Sequence, residues 1–210
     1  MVDRDRQIIR QIDEYYSSKI REFGRSPLGV DWNGAESQLL RFQQLLKVME
    51  GDTDFSVADV GCGYGALLDV LPQRFENFRY TGLDISAAMI RAATERYGHL
   101  SNVDFLNATI PSGIVDYCVA SGIFNVKLDC LNENWLDYIY DSLRAINGVS
   151  LRGFSFNCLT SFSEAEKKRD YLYYADPCVI FEWCKRNCSR QVALLHDYGL
   201  FEFTILVRKN

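Results

Sequence analysis

The residues best placed to do chemistry stand in "VADVGCGYGALLDVL", Val57 to Leu71, where Gly61, Gly63 and Gly65 alternate directly behind a short apolar run. Glycines at a turn after a strand let a ligand approach the backbone closely and expose its N–H groups. Gly61, Gly63 and Ala66 formally satisfy the GxGxxA turn of a dinucleotide site, with an acidic residue about 20 positions on. Asp59 argues otherwise. A carboxylate two residues before the first glycine repels a pyrophosphate and attracts a ligand that carries an ammonium group. Asp84, in "YTGLDISAAMI", is the matching group at the end of the next run. Its two acceptor oxygens suit the cis diol of a ribose, and the other reading makes it an N-cap in competition with Ser86.

Elements must exist to position these groups. Ile8, Ile9, Ile12, Tyr15, Tyr16 and Ile20 recur at helical spacing and predict an amphipathic helix over Asp3–Phe23. "GRSPLGVDWNG" breaks it, and a second helix is expected over Ala35–Met49 with Leu39, Leu40, Phe42, Leu45 and Leu46 buried. Strands are expected over 57–60, 79–83, 103–106, 115–121 and 153–158, with helices between most of them. That alternation gives a parallel sheet with helices on both faces. The tail, "QVALLHDYGLFEFTILVRK", reads as two strands turned at "DYG", which adds an antiparallel strand.

Composition narrows the function. At 210 residues the chain suits a single domain over 1–210, with 1–50 as amino-terminal helices and 55–210 as the core. A net charge of -5 is a poor footprint for nucleic acid, and the amino terminus is neither a signal peptide nor a span. Seven cysteines, mostly in apolar runs and without a CxxC pair, suit reduced thiols in a cytoplasmic protein and give no expected metal site.

"VADVGCGYGALL" together with "YTGLDISAAMI" resembles the first two motifs of the class I S-adenosylmethionine-dependent methyltransferases, over the chain from about Phe55 onward. The resemblance implies a Rossmann-like α/β fold: a doubly wound seven-stranded sheet of order 3-2-1-4-5-7-6, strand 7 antiparallel, with an amino-terminal helical lid. It implies S-adenosylmethionine as cofactor and S-adenosylhomocysteine as product. Gly61 and Gly63 would line the methionine and ribose part, with Cys62 and Ser121 in the same set. Asp59 would lie near the ammonium, Asp84 would accept the ribose hydroxyls, and Ile85 and Met89 would pack on adenine. The family's third motif has an acidic residue where this chain has Asn107; the adenine amino group would be read by Asn107 or by the backbone of Ala108.

Ligands in such sheets bind outside the carboxyl ends of the strands. The acceptor pocket is therefore expected to gather Asn125, Lys127, Asn157, His196, Tyr198, Tyr173 or Tyr174, and Tyr15, Tyr16 and Trp32 from the lid. His196, beside Asp197, is the candidate base, with Tyr16 and Asn125 as further catalytic candidates. "EKKRDYLYYADPCVIFEWCKRN" reads as an amphipathic helix, with Tyr171 and Leu172 on its packed side. The expected activity is O-methylation of a small polar metabolite, in secondary metabolism or surface-sugar modification, by a monomer or homodimer with no nucleic-acid or membrane partner. An NAD-dependent oxidoreductase and a non-catalytic cofactor-binding module are the competing readings.

Overall fold

The computed structural model describes residues 3–32 and 34–209. Seven strands, β1 (Asp54–Val60), β2 (Asn77–Asp84), β3 (Val103–Asn107), β4 (Val115–Ala120), β5 (Ser150–Leu159), β6 (Gln191–Leu195) and β7 (Glu202–Arg208), form one sheet of order β3-β2-β1-β4-β5-β7-β6. β1 runs parallel to β2 and β4, while β7 is antiparallel to both β5 and β6. The order expected from the two motifs is therefore met, and the tail is the expected hairpin.

Strand alternation divides the core. Phe55 and Val57 face one layer with Leu45, Leu46, Met49 and Leu71, and Ala58 and Val60 face the other with Trp135, Ile139, Phe154 and Phe203. The second layer is covered by α4 (Asn132–Val149) and α5 (Pro177–Asn187). In α4, Trp135, Ile139, Leu143 and Ile146 are buried at the spacing of one helix face, and the Trp135 indole N–H donates to the Phe124 carbonyl at 2.9 Å. The first layer is covered by α2 (Ala35–Leu45), α3 (Ala87–Tyr97) and short 3₁₀ turns.

α1 (Asp3–Phe23) belongs to both layers: Ile8 and Ile12 pack on one and Ile20 on the other. It thus crosses the carboxyl end of the sheet. Ser17 Oγ and Ser86 Oγ share a hydrogen bond of 2.7 Å and fix α1 to the start of α3.

Two expectations are corrected. The second helix is α-helical only to Leu45 and continues as a 3₁₀ turn over Leu46–Met49. The glycine turn leads into 3₁₀ turns at Ala66–Asp69 and Leu71–Gln73, where Pro72 lacks an N–H and its ring would clash with the preceding turn of a continuous helix. Tyr171 and Leu172 lie outside any helix: α5 starts only at Pro177, capped by the Asp176 carboxylate on the N–H groups of Cys178 and Val179. Residues 168–176 instead form an irregular connection with a turn at Arg169–Leu172, bridging Val126 to Leu172 and Thr160 to Ala175.

Candidate active site

Between the carboxyl ends of β1 and β4, where successive connections leave in opposite directions, lies a cavity of about 820 Å³. Its floor is the glycine turn. Gly61 has φ +75°, and the N–H groups of Gly61 and Cys62 both donate to the Leu83 carbonyl, at 2.7 and 2.9 Å. A Cβ on Gly61 would lie 2.2 Å from Cγ2 of Ile123, so only glycine lets these two cavity walls meet.

Two carboxylates face this floor. Asp59 is 3% exposed and accepts a 2.7 Å hydrogen bond from the Tyr80 hydroxyl; burial pushes its carboxyl up to about 7, against the lowering effect of that bond. It is not the solvated strand end that a terminal aspartate could have been. Asp84 accepts from the Gly63 N–H at 2.9 Å and from the Ser86 N–H at 2.8 Å, and burial pushes it up to about 6. The cap of α3 is Ser86, whose Oγ accepts from the Met89 N–H. Asp84 therefore braces the glycine turn while remaining on the cavity wall. Burial strongly disfavours two ionised carboxylates in the free protein, and an entering cation is what offsets that cost.

Cys62, Gly63, Ile85, Met89, Ala108 and Ser121 line the same cavity. Ser121 Oγ is buried with no hydrogen-bond partner, a polar atom left for a ligand. Asn107 does not line it; its amide N–H₂ donates to the Asp84 and Ile85 carbonyls, both at 2.8 Å, and so ties β3 to the end of β2. Thr109 and Ile110, which the motif comparison passed over, take the wall beside Ala108.

Tyr16, near Asp84, also lines the cavity, as do Trp32, beside Gly122, and Asn125 and Tyr174. Asn125 Oδ1 accepts from the Leu159 N–H at 3.0 Å, and the Tyr174 hydroxyl accepts from the Arg169 N–H at 3.0 Å. Burial raises the Tyr16 phenol. The remaining expected pocket residues stand elsewhere. The Tyr15 hydroxyl donates to Asp31 at 2.8 Å, and Asp31 also pairs with Lys19 at 2.9 Å; together they hold the turn that carries Trp32. Lys127 Nζ caps the carbonyls of Leu128 and Cys130, both at 3.3 Å. Asn157 is fully buried, accepting from the Gly122 N–H at 2.8 Å and donating to Glu202. Tyr173 packs beside α4 and α5, its phenol pushed up to about 12 by burial, and Tyr198 shares a 3.0 Å hydrogen bond with Thr204. His196 is exposed on the hairpin turn, with its ring centroid 6.0 Å from Phe162 and 6.1 Å from Phe203. Neither it nor His99 lines the cavity, so the geometry does not place a histidine base there.

Sequence reasoning missed Arg41 and Glu202. Arg41 on α2 donates Nε–H and Nη2–H to the two Glu202 oxygens at 2.7 and 2.8 Å, and its guanidinium lies 3.9 Å over the Trp32 ring. Glu202 falls within an apolar strand and Arg41 within a helix face; no local pattern links residues 161 apart.

Comparison with known proteins agrees with this geometry. A family model described as a methyltransferase domain matches residues 58–149. The chain is 54% identical over 164 residues to Rv1506c of Mycobacterium tuberculosis, which carries a methyltransferase name, a match spanning 78% of this chain and 99% of that one. It is 35% identical over 108 residues to the trans-aconitate 2-methyltransferase of Rhodopseudomonas palustris, covering 45% of this chain and 40% of that longer relative. Magnesium protoporphyrin IX methyltransferase of Synechocystis PCC 6803 with bound SAM superposes with a TM-score of 0.67 at 15% identity, over 100% of this chain and 99% of that one. A DhpI complex with SAH gives 0.65 at 17% identity, over 97% of each chain. Among the described residues no helix is long and apolar enough to cross a membrane. A glycine turn between two buried carboxylates, on this sheet order and with this relative along most of its length, decides the assignment: the chain belongs to the class I S-adenosylmethionine-dependent methyltransferase family.

Proposed function

We propose that the protein methylates an oxygen atom of a small polar metabolite. The observation that carries this is the division of the cavity: Asp59 and Asp84 at one end, and Trp32, Asn125 and Tyr174 with no histidine at the other. S-adenosylmethionine fits the first end by the chemistry of the donors. Asp59 would hold the ammonium, the Asp84 lone pairs not engaged with Gly63 and Ser86 would take the ribose hydroxyls, and Ser121 Oγ would find its missing partner. Ile85, Met89 and Ala108 would flank adenine.

Bound there, the cofactor supplies a methyl carbon already activated for in-line displacement by its sulfonium. The chain's own contribution is then alignment and exclusion of water. α1 closes the carboxyl end of the sheet, Ile123 sets the wall against Gly61, and Trp32 lies so close to Gly122 that a Cβ there would fall 2.4 Å from its ring. An oxygen that is already ionised at neutral pH, such as a carboxylate, carries no proton to remove and needs no base. That agrees with the exposure of His196, and with the relatives named for trans-aconitate, a carboxylic acid.

Titration calorimetry with S-adenosylmethionine, S-adenosylhomocysteine and NADH, repeated on Asp84→Ala, tests the cofactor end. Binding of the first two, lost in the variant, is expected. Transfer of labelled methyl to a base-labile ester is the expected product signature; a base-stable amine product would overturn the oxygen assignment.

A further inference from the structure

Arg41 is 6% exposed, yet only two of its three guanidinium nitrogens have partners. Nη1 is shielded from solvent and makes no hydrogen bond. A buried, unsatisfied donor on a charged group is costly, and an acceptor that reaches Nη1 from the cavity would relieve that cost. The guanidinium is not free to seek one elsewhere: Glu202 holds its fork, Asn157 holds Glu202, and the Trp32 ring covers its face. Arg41, Trp32 and Glu202 all line the cavity.

The other cations of the lining stand at this same end. Lys167, paired with Glu164 at 2.7 Å, lies 4.6 Å over the Phe201 ring, and Arg169 follows just after it in the chain. The acidic pair Asp59 and Asp84 belongs to the glycine turn. The cavity is therefore divided: carboxylates without a cationic partner stand where a cationic cofactor fits, and cations, two of them already paired with Glu202 and Glu164, stand where an acceptor enters.

We propose that Arg41 is the specificity residue for the acceptor, taking one of its carboxylates on Nη1, so that the substrates are acids with a second, reacting oxygen elsewhere in the molecule. This rests on the methyltransferase reading above. The carboxylate on Arg41 is not the one methylated, because a charge-assisted hydrogen bond stabilises the oxygen's negative charge and lowers its nucleophilicity. The planar fork held by Glu202 fixes where the acid sits relative to the methyl carbon.

The test is calorimetric titration of the protein, with and without S-adenosylhomocysteine, using trans-aconitate and its trimethyl ester. The acid is expected to bind, to weaken as sodium chloride is raised, and to bind roughly ten- to hundredfold more tightly than the ester. Removing Arg41 alone would strand the Glu202 charge, so the variant is the paired replacement Arg41→Met with Glu202→Leu, which keeps the site uncharged and well filled. It is expected to unfold cooperatively and retain S-adenosylhomocysteine binding while losing the acid. Equal affinity for acid and ester, no binding of the acid at millimolar concentration, or acid affinity within about twofold of wild type in the paired variant would each overturn the proposal. Failure of S-adenosylhomocysteine to bind would instead count against the cofactor reading, and leaves the comparison of acid and ester legible.

Discussion

The Tyr80 hydroxyl reaches across the β1–β2 ladder to the Asp59 carboxylate at 2.7 Å, from the residue that pairs with Val57, two before the Gly82 that stands opposite Asp59. Gly82 leaves room instead for the Phe105 ring and Cys62 Sγ, which a Cβ there would meet at 2.7 Å and 2.9 Å. One buried phenol thus fixes the one buried carboxylate best placed to meet a cation.

The pH dependence follows from Asp59 and Asp84, whose carboxyls burial raises from 3.8 to about 7 and about 6. A folded-state pKa above the unfolded value means that the folded protein holds more protons, so these groups favour folding below about pH 4 and that contribution fades as pH rises to about 7. Cofactor binding, which favours the ionised forms, moves the opposite way. We expect S-adenosylhomocysteine affinity to rise between pH 5.5 and 8 by roughly tenfold per unit at the acid end, with proton release in calorimetry run in buffers of different ionisation enthalpy. A flat profile would contradict the placement of Asp59 beside the ammonium.

Asp59→Asn keeps the shape and an acceptor for Tyr80 but removes the titrating group. The free variant is expected to be as stable as wild type or more so above pH 7 in urea unfolding, and to bind the cofactor at least tenfold more weakly, since a buried ion pair is lost. Loss of stability together with loss of binding would make Asp59 a structural residue.

His196→Ala should leave methyl transfer and its pH profile unchanged, within about twofold, because the imidazole is exposed on the hairpin turn and outside the cavity. Any loss of a basic limb in the pH–rate profile would restore the histidine as a base.

Asn157→Leu leaves the Gly122 N–H without its partner in a fully buried place, while both Glu202 oxygens keep their bonds from Arg41. A cost of about 1–3 kcal/mol is expected from one unsatisfied buried donor, which lowers the midpoint of thermal unfolding by several degrees in a chain of this size. Differential scanning calorimetry checks it. A shift below one degree would mean that water replaces the amide.

Sequence alone determined the sheet and one end of the site. Strands announce themselves by alternation, and a cofactor held by a strand end and the turn that follows it is read by residues a few positions apart, so Asp59, Gly61, Gly63 and Asp84 stand where their spacing put them. Ile85 and Met89, after β2, and Ala108, after β3, which the family resemblance implied, line the cavity as well. The acceptor end was decided by tertiary structure. Lys127, Asn157 and Tyr198 sit near the carboxyl ends of strands as expected, yet each turns to a neighbouring carbonyl, amide or hydroxyl, because a polar group under burial takes whatever partner packing offers it. Arg41 and Glu202 meet only when α2 is laid against β7, and a contact between residues 161 apart leaves no periodic trace in the chain.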